Sequence, residues 1–551
     1  MKKTLSAIAS LALCTALSAQ NINQSVQVTN DYVTRFADFQ KLGGGLQVPD
    51  SLYRFDYDFD YSVFETPYKG SYEFSPYRIR VTPEPRPLDA GRLYLRAGAG
   101  YVLRPQFDLA WQAVQRKNGA VGVVAGLSGY SGRYRISDAL LTAGTENPGA
   151  VRGHDLTGSF GVNGHYLAPA VRLSGQLGYE GIFSGLAPAA DADLFKSAFN
   201  VLTLRGGIRS RERAENRLFY ELDARYRHGA GAYGAGDRAA EDGLRLAVSA
   251  GPVLRQKYRI LLDAVFEMDA VSDLRDGGAS SASGSVLLAS AKPHVEFLLG
   301  DFRLDAGARL DYSLSEAAAG PASGFTLSPD ISARLPLVGV NLELFAGVSG
   351  GQAVQGLYDA VRLNHFSRGS VASASVVREK LRLRAGLEGH WGARLQYGLE
   401  GGYVSYSGRQ LPSWLSVVRT DYRAAYAQAR MSWKDERFEM DGRMGYVYAR
   451  FSGSGAAFAP PAFTADLRGV YNWQRKVHAG AFLRAASSRA WLGGDATIPG
   501  YADLGLTGEV RISRSLAAWI EAGNLLGMAI ERTPGVVEKS PYATVGVSLK
   551  L

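Results

Sequence analysis

Long stretches of this 551-residue chain alternate between apolar and polar side chains. In residues 302–312, FRLDAGARLDY, the even-numbered positions hold Phe, Leu, Ala, Ala, Leu and Tyr, whereas the odd-numbered positions hold two arginines, two aspartates and a glycine. Residues 380–391, KLRLRAGLEGHW, and 217–227, RLFYELDARYR, repeat the pattern. Because successive side chains of a strand point to opposite faces, this period of two predicts β-strands with one apolar and one charged face.

The length and number of these segments indicate what the apolar face meets. In a soluble sandwich it would pack on a second sheet, and strands of about 5–6 residues are typical there. Here segments of about 10–15 residues recur from about residue 92 to the end, with no helical segment or domain break. Long alternating strands are typical of membrane barrels. We therefore predict an all-β fold: one large transmembrane antiparallel β-barrel of about 22 strands over residues 92–551.

The connections between the predicted strands alternate in length. Short turns fall at about 115–118, 168–170, 211–216, 255–257, 300–302, 338–340, 392–394, 434–436, 474–476 and 513–515. Longer connections fall at about 132–153, 185–196, 228–241, 270–283, 313–324, 351–370, 406–414, 487–498 and 527–541. Outer-membrane barrels place short turns in the periplasm and long loops outside the cell, so an even strand count leaves both termini periplasmic.

The predicted lumen needs an occupant. A barrel of this many strands is too wide for its own side chains to fill. Water, a loop folded inward or the segment before the first strand must therefore occupy it, and the alternation pattern does not choose among them.

The N-terminus resembles an export signal. Lys2 and Lys3 precede an apolar stretch at 5–17 and a small-residue cleavage zone, which predicts a signal peptide over residues 1–19. Cys14 is the only cysteine, and Leu13 stands directly before it, where a lipid-acceptor site prefers a small residue. Removal of the peptide would leave no cysteine, which excludes disulfides and thiol catalysis.

Residues 20–91 lack the barrel alternation and form a predicted periplasmic or luminal N-terminal segment. In YRFDYDFDY, Asp56, Asp58 and Asp60 would share one side of an extended chain, which suggests calcium. An EF-hand loop needs a glutamate at its twelfth position, and Pro67 stands there. The sequence therefore predicts no metal site and no cofactor, and the segment is expected to dock its aromatic side chains against protein.

Charged side chains on the predicted inner face are the candidate functional residues. They are Arg205, Arg209, Arg225, Arg227, Arg303, Asp305, Arg309, Asp311, Arg382, Arg384 and Glu388. Rings of charge set pore selectivity, and the arginine fork suits carboxylates and phosphates. The alternative is an internal lattice of salt bridges that includes Asp223 and stiffens the wall. The net charge of +9 lies in no basic run, so nucleic acid is not an expected partner.

The last residues, YATVGVSLKL, alternate to the end of the chain. Val547, Leu549 and Leu551 would face lipid and serve as a C-terminal signal for the barrel-insertion machinery. The strand is predicted to close the sheet by pairing with residues 93–102. The expected partners are therefore outer-membrane lipid and the insertion machinery.

Catalysis has little support in the sequence. The seven histidines show no HxxxH spacing, and although His294 and His390 lie in predicted strands, nothing in the sequence pairs them with a nucleophile or a carboxylate. We predict that the protein is not an enzyme.

The C-terminal stretch EAGNLLGMAIERTPGVVEKSPYATVGVSLKL resembles the end of TonB-dependent receptors, in which an Asn-Leu pair, here Asn524 and Leu525, follows the penultimate strand. FTLSPDISARLPLVGVNLELFAGVSGG, with LNHFSRG downstream, resembles plug-less, receptor-like barrels of the Bacteroidetes type, and so does the region around DYDFDYSVFETP. Only about 70 residues precede the first strand, which is short for a plug, and Leu551 stands where such barrels end in an aromatic residue.

The resemblance implies a location in the cell outer membrane and a part in solute transport. The alternative is a structural or assembly subunit that binds periplasmic or outer-membrane proteins. An enzyme embedded in the barrel is the third possibility.

Overall fold

The computed structural model describes residues 92–136, 150–187, 195–211, 218–233, 237–254, 257–275, 284–315, 324–337, 341–367, 374–414, 416–452, 457–538 and 541–551. The predicted signal peptide, the N-terminal segment 20–91 with its three aspartates, and Cys14 lie outside the described residues.

The described residues form 26 strands and one helix. In chain order the strands are β1 Leu93–Tyr101, β2 Gln106–Arg116, β3 Gly119–Ile136, β4 Ala150–Leu167, β5 Val171–Ala187, β6 Phe195–Ser210, β7 Leu218–Tyr233, β8 Asp237–Leu254, β9 Tyr258–Arg275, β10 Gly284–Leu299, β11 Phe302–Ser315, β12 Gly324–Leu337, β13 Leu342–Gln355, β14 Ser375–Trp391, β15 Leu395–Ser413, β16 Ser416–Lys434, β17 Phe438–Ser452, β18 Phe463–Trp473, β19 Val477–Ala486, β20 Arg489–Ala490, β21 Thr497–Ile498, β22 Tyr501–Arg511, β23 Leu516–Gly523, β24 Ile530–Thr533, β25 Val536–Glu538 and β26 Tyr542–Lys550.

Twenty-two of these strands form a closed antiparallel barrel, which confirms the predicted fold. Each strand from β1 to β18 pairs with the next one in the chain. The ring then continues from β19 to β22, β23 and β26, and β26 pairs with β1. Strands β20, β21, β24 and β25 belong to the connections. Because all backbone N–H and C=O groups must be paired in lipid, closure of this ring is what permits a sheet to cross a membrane.

The seam between the first and last strands lies where the alternation predicts it. Tyr94 pairs with Lys550 and Tyr101 with Ala543. Beyond the ladder, Leu93 N donates to Leu551 O at 2.9 Å and Leu551 N donates to Leu93 O at 2.8 Å. The chain end is thus part of the closing hydrogen-bond ladder, and no free sheet edge remains there.

The two faces of the wall differ as predicted. On β26 the outward side chains of Val545 and Val547 are 57% and 47% exposed, whereas Thr544 on the inner face is 1% exposed. A hypothetical Cβ at Gly546 would lie 2.5 Å from the ring of Trp519, so the inward-facing tryptophan requires glycine beside it. An apolar outer face on a large closed barrel is typical of proteins of the cell outer membrane.

Several strands extend further than their sequence suggests. The predicted loop 228–241 is mostly strand, because β7 runs through residue 233 and β8 starts at 237. The predicted loop 406–414 is almost wholly strand as well. Both stretches are rich in small or polar residues and carry no apolar alternation, and backbone pairing with the neighbouring strands extends them.

A short helix, α1, spans Leu357–Leu363 within the predicted loop 351–370, where no helix was expected. Two turns are too few to establish a periodic pattern in the sequence. Within the described residues, no helix combines the length and the apolar character needed to cross a bilayer.

The outward face of β26 provides a test of the barrel. Val547→Asp should reduce the folded fraction, because it places a carboxylate on the lipid face, and we expect a cost on the order of 1–3 kcal/mol. Ser548→Asp places the same charge one residue away on the inner face and should be tolerated. Heat-modifiable gel migration and urea unfolding in lipid vesicles measure both, and an equal loss in the two variants would contradict the assignment of faces.

Candidate functional site: a segment folded into the lumen

The connection between β13 and β14 folds inward and packs inside the lumen of the barrel. We name residues 356–367, which contain α1, the inserted segment. Leu357 and Val361 of α1 are each 2% exposed and belong to one apolar cluster with inward side chains of the wall. Those wall residues are Ile182 of β5, Phe199 and Val201 of β6, Ala239 of β8, Val271 of β9, Val286 of β10 and Val376 of β14. The cluster forms a small hydrophobic core inside the lumen, at the end that carries the long connections, which is the extracellular end in such barrels.

A buried charge network holds the start of the helix. Glu241, on β8, is fully buried and accepts a hydrogen bond from the backbone N–H of Tyr358. Arg227, on β7, pairs with Glu241 and lies 3.2 Å from Asp269 Oδ2 on β9. A Cβ at Gly356 would lie 2.5 Å from Glu241 Oε1, so the backbone approaches the carboxylate in a way that only glycine allows.

The aromatic ring of Tyr358 adds a second attachment to the wall. Its hydroxyl donates to Glu180 Oε2 of β5 at 2.6 Å, and the Arg227 guanidinium lies 4.8 Å from its ring centroid. Burial, with the nearby Glu180 carboxylate, raises the pKa of Tyr358 well above its ordinary value. The phenol is therefore a neutral hydrogen-bond donor throughout the physiological range.

The residues after the helix join opposite sides of the ring. Asn364 Nδ2 donates to the carbonyls of Ser413 and Ser416, at 3.2 and 3.1 Å, at the tip of the β15–β16 hairpin. The next residue, His365, lies with Nδ1 2.7 Å from Asp155 Oδ1 on β4. Strands β4 and β15 are eleven strands apart in a ring of 22, so the inserted segment bridges the mouth of the barrel.

The connection between β23 and β26 covers the far end of the inserted segment. Phe366 is 1% exposed and packs against Tyr134 of β3, with ring centroids 5.9 Å apart. Val536 of β25 belongs to the same cluster, and β25 extends the sheet by pairing with β3. Arg104 binds Glu538 at 2.6 Å and fixes the end of β25. Two connections therefore meet inside the mouth.

Most of the charges predicted to line the lumen are paired, either along one strand or with a strand one or two positions away. Arg205 pairs with Asp223, Arg209 with Glu221 at 3.6 Å, Arg225 with Glu267 at 3.4 Å, Asp305 with Lys292 at 3.5 Å, Arg382 with Glu379 at 2.6 Å, and Glu388 with Arg334 at 2.9 Å and with Arg430. Over the part of the chain that the structure describes, Arg303 and Arg384 have no carboxylate oxygen within 4 Å. The wall thus contains the salt-bridge lattice, while the role of the two remaining arginines stays a prediction.

Arg309 and Asp311 of β11 hold the strand that leads into the inserted segment. Arg309 donates to Asp311 Oδ1 at 2.8 Å and to the carbonyl of Gln352 at 2.6 Å. Asp311 Oδ2 accepts from the backbone N–H of Gln352 at 2.8 Å. These two predicted luminal charges therefore fix the end of β13, just before the chain turns inward.

Comparisons with known proteins bear on the fold. No protein-family model and no curated protein matches this sequence. A structure titled copper transporter OprC is 14% identical, with a TM-score of 0.61, over 84% of this chain and 80% of that one. The ferric-catecholate import receptor Fiu from E. coli K12, in its closed form, is 11% identical, with a TM-score of 0.61, over 84% and 82%.

The pyoverdine outer membrane receptor FpvA from Pseudomonas aeruginosa PAO1, bound to pyoverdine, is 10% identical, with a TM-score of 0.60, over 84% of this chain and 79% of that one. The structural neighbours are TonB-dependent receptors. At these identities the likeness establishes the barrel fold, in agreement with the resemblance found in the C-terminal stretch.

The sequence did not single out the residues that hold the inserted segment. Glu241, Asp269 and Tyr358 are far apart in the chain, and strand register brings them together. The available signal was the apolar content of the predicted loop: Leu357, Val361 and Phe366 are poor residues for a water-exposed connection.

The contact of His365 predicts that docking of the inserted segment depends on pH. Burial opposes protonation of His365, but the hydrogen bond to Asp155 and the charge of that carboxylate outweigh burial and raise the pKa of His365 above its ordinary value. A raised pKa stabilises docking below about pH 6.5, the ordinary value for histidine, and the stabilisation is lost as pH rises through the folded-state pKa.

We therefore expect hydrogen exchange in residues 356–367, corrected for intrinsic rates, to be slower at pH 5.5 than at pH 9. His365→Gln should remove this dependence. His228→Gln, which changes an exposed histidine paired with Asp242 at 2.8 Å, should leave it intact. Identical exchange at both pH values in the native protein would show that the histidine does not control docking.

Proposed function

We propose that the protein takes part in the passage of a solute across the outer membrane through its lumen, and that the inserted segment closes the extracellular end of that route. The observation that carries the proposal is the bridge across the mouth, formed by α1 and the residues up to 367. Structural neighbours titled as a copper transporter, a ferric-catecholate import receptor and a pyoverdine receptor support a transport role.

The inserted segment has the attachments expected of a gate that is closed at rest. Burial of Leu357 and Val361 contributes roughly 1.5–3 kcal/mol each. The hydrogen bonds to Glu241, Glu180 and Asp155 add directional contacts. All of these contacts involve about twelve consecutive residues, so the segment can undock while the 22-strand ladder stays intact.

Arg303 and Arg384 are the residues we propose to contact the solute. The other candidate arginines have carboxylate partners, and their charge is largely neutralised. An arginine without such a partner keeps its five donors for a carboxylate or phosphate group of a solute. We accordingly expect an anionic solute.

We also propose that the chain belongs with receptor-like barrels of the Bacteroidetes type that lack a conventional plug. The resemblance around LNHFSRG supports this. Here the inserted segment fills the mouth of the lumen, a space that a separate plug would otherwise occupy.

The alternative role, as an assembly subunit, predicts a lumen that never conducts and partners that remain bound during purification. The structural neighbours reported above are transporters and receptors, which argues indirectly against an enzyme.

Matched variants of α1 separate transport from assembly. Val361→Asp puts a carboxylate into the apolar cluster, so the inserted segment should undock. Leu363→Asp makes the same change on the same helix at a position that is 42% exposed, and should behave like the native protein.

In planar lipid bilayers we expect Val361→Asp to raise the single-channel conductance several-fold above that of the native protein and of Leu363→Asp. Hydrogen exchange in residues 356–367 reports whether the segment has undocked. Undocking without any gain in conductance would contradict the proposed route and favour the assembly role.

A further inference from the structure

A histidine lies among three carboxylates on the lumen wall, away from the inserted segment. Asp263 is on β9, His294 and Glu296 are on β10, and Asp305 is on β11. His294 and Glu296 are two residues apart and share the inner face, and Asp305 is the register partner of Glu296. The group lies eight residues along β10 from Val286, which packs on α1, a separation of about 26 Å along the strand.

The imidazole of His294 is 6% exposed and contacts a carboxylate through each nitrogen. Nδ1 lies 2.8 Å from Asp305 Oδ1, and Nε2 lies 3.2 Å from Asp263 Oδ2. Ligand atoms of His294, Glu296 and Asp305 all lie within 4.8 Å of one another. One nitrogen and two oxygens therefore converge on a volume the size of a metal ion, with small side-chain movements.

We propose that His294, Glu296 and Asp305 bind a divalent cation of the zinc class on the lumen wall. Zn²⁺ and Co²⁺ accept imidazole nitrogen together with carboxylate oxygen. Three protein ligands leave a fourth position open toward the lumen, for water or a passing solute. Binding at Nδ1 leaves the ring with its proton at Nε2, and a second proton, where the ring carries one at Nδ1, is released to water.

Asp263 completes the arrangement as a positioning residue. A histidine that binds a metal usually donates its other ring N–H to a carboxylate, which fixes the ring orientation and increases the basicity of the ligating nitrogen. Asp263 Oδ2 lies 3.2 Å from Nε2. Nε2 makes no hydrogen bond in this structure, and a small rotation of the ring would bring its N–H onto Asp263 when Nδ1 binds the cation.

Two basic side chains lie beside the cluster, and each contacts one of its carboxylates. Lys292 Nζ lies 3.5 Å from Asp305 Oδ2, and Arg259 lies 3.5 Å from Glu296 Oε2. In this proposal Asp305 Oδ1, the oxygen nearest the imidazole, and Glu296 Oε1 bind the metal. Lys292 Nζ also lies 3.2 Å from Asp330 Oδ2. The two basic groups therefore offset only part of the carboxylate charge, which leaves the cluster attractive to a cation.

Other histidine–carboxylate contacts of the wall lack this convergence. His228 pairs with Asp242 at 2.8 Å and is 45% exposed at its side chain. The described residues contain one group of three potential metal ligands, and it is the one around His294. His228 is therefore a matched control: a histidine beside an aspartate on the same barrel.

The test uses the full-length protein without a polyhistidine tag, purified in detergent, stripped with a chelator and dialysed. Zn²⁺ is titrated against a chromophoric competitor, and Co²⁺ is added separately to record its visible absorption. We expect about one tight equivalent of Zn²⁺, and Co²⁺ bands that disappear in His294→Gln. Zn²⁺ affinity should fall at least tenfold in His294→Gln and Glu296→Gln, and about 10–100-fold in Asp263→Asn.

His228→Gln should bind Zn²⁺ as the native protein does. Heat-modifiable migration on gels reports whether each variant is folded. If His294→Gln does not fold, the near-isosteric Glu296→Gln tests whether the cluster binds Zn²⁺. The proposal is overturned if the native protein binds no Zn²⁺, if Glu296→Gln binds as tightly as the native protein, or if His228→Gln is weakened equally. These measurements do not depend on conductance, so they stand apart from the transport test.

Discussion

The pairing of backbone hydrogen bonds around a closed ring is the constraint on which the rest of this structure depends. In hydrocarbon an unpaired N–H or C=O costs several kcal/mol, so the sheet has to end on itself. Here the last residue completes the ladder, with Leu551 and Leu93 exchanging hydrogen bonds. Closure in turn determines which face of each strand meets lipid and which meets the lumen.

A ring of 22 strands creates a second problem, because its interior is wider than two layers of side chains. The chain fills the extracellular end with its own connection. The inner face of β10 shows how the wall changes along the barrel: Val286 and Leu288 are buried at the end where α1 packs, and Lys292, His294 and Glu296 follow further along the strand. Along β10 the inner face is thus apolar where α1 covers it and charged further along the strand.

Electrostatics explain why so many charges are compatible with a stable wall. A buried carboxylate without a partner is strongly destabilising, and Glu241 is held by Arg227 and by a backbone N–H of the inserted segment. The same contacts couple docking of the segment to the lattice. Loss of the segment would remove a hydrogen-bond donor from a buried acid, so the lattice favours the docked state.

The sequence alone determined the barrel. A period of two is a local property that each strand carries by itself, and alternation between short turns and long connections adds the topology and the strand number. Local pattern could also place Arg309 and Asp311 on the inner face. It could not show that they hold Gln352, because that contact depends on register between strands distant in sequence.

The candidate site was decided by tertiary structure. Nothing local distinguishes a loop that projects into water from one that folds into a lumen, although Leu357, Val361 and Phe366 are unusually apolar for a connection. Likewise His294 meets Asp263 and Asp305 only because three strands align at one height of the wall. The alternation of side chains depends only on neighbouring residues along the chain. Contacts between residues distant in sequence, such as those of His294 and of the inserted segment, depend on strand register and on closure of the ring.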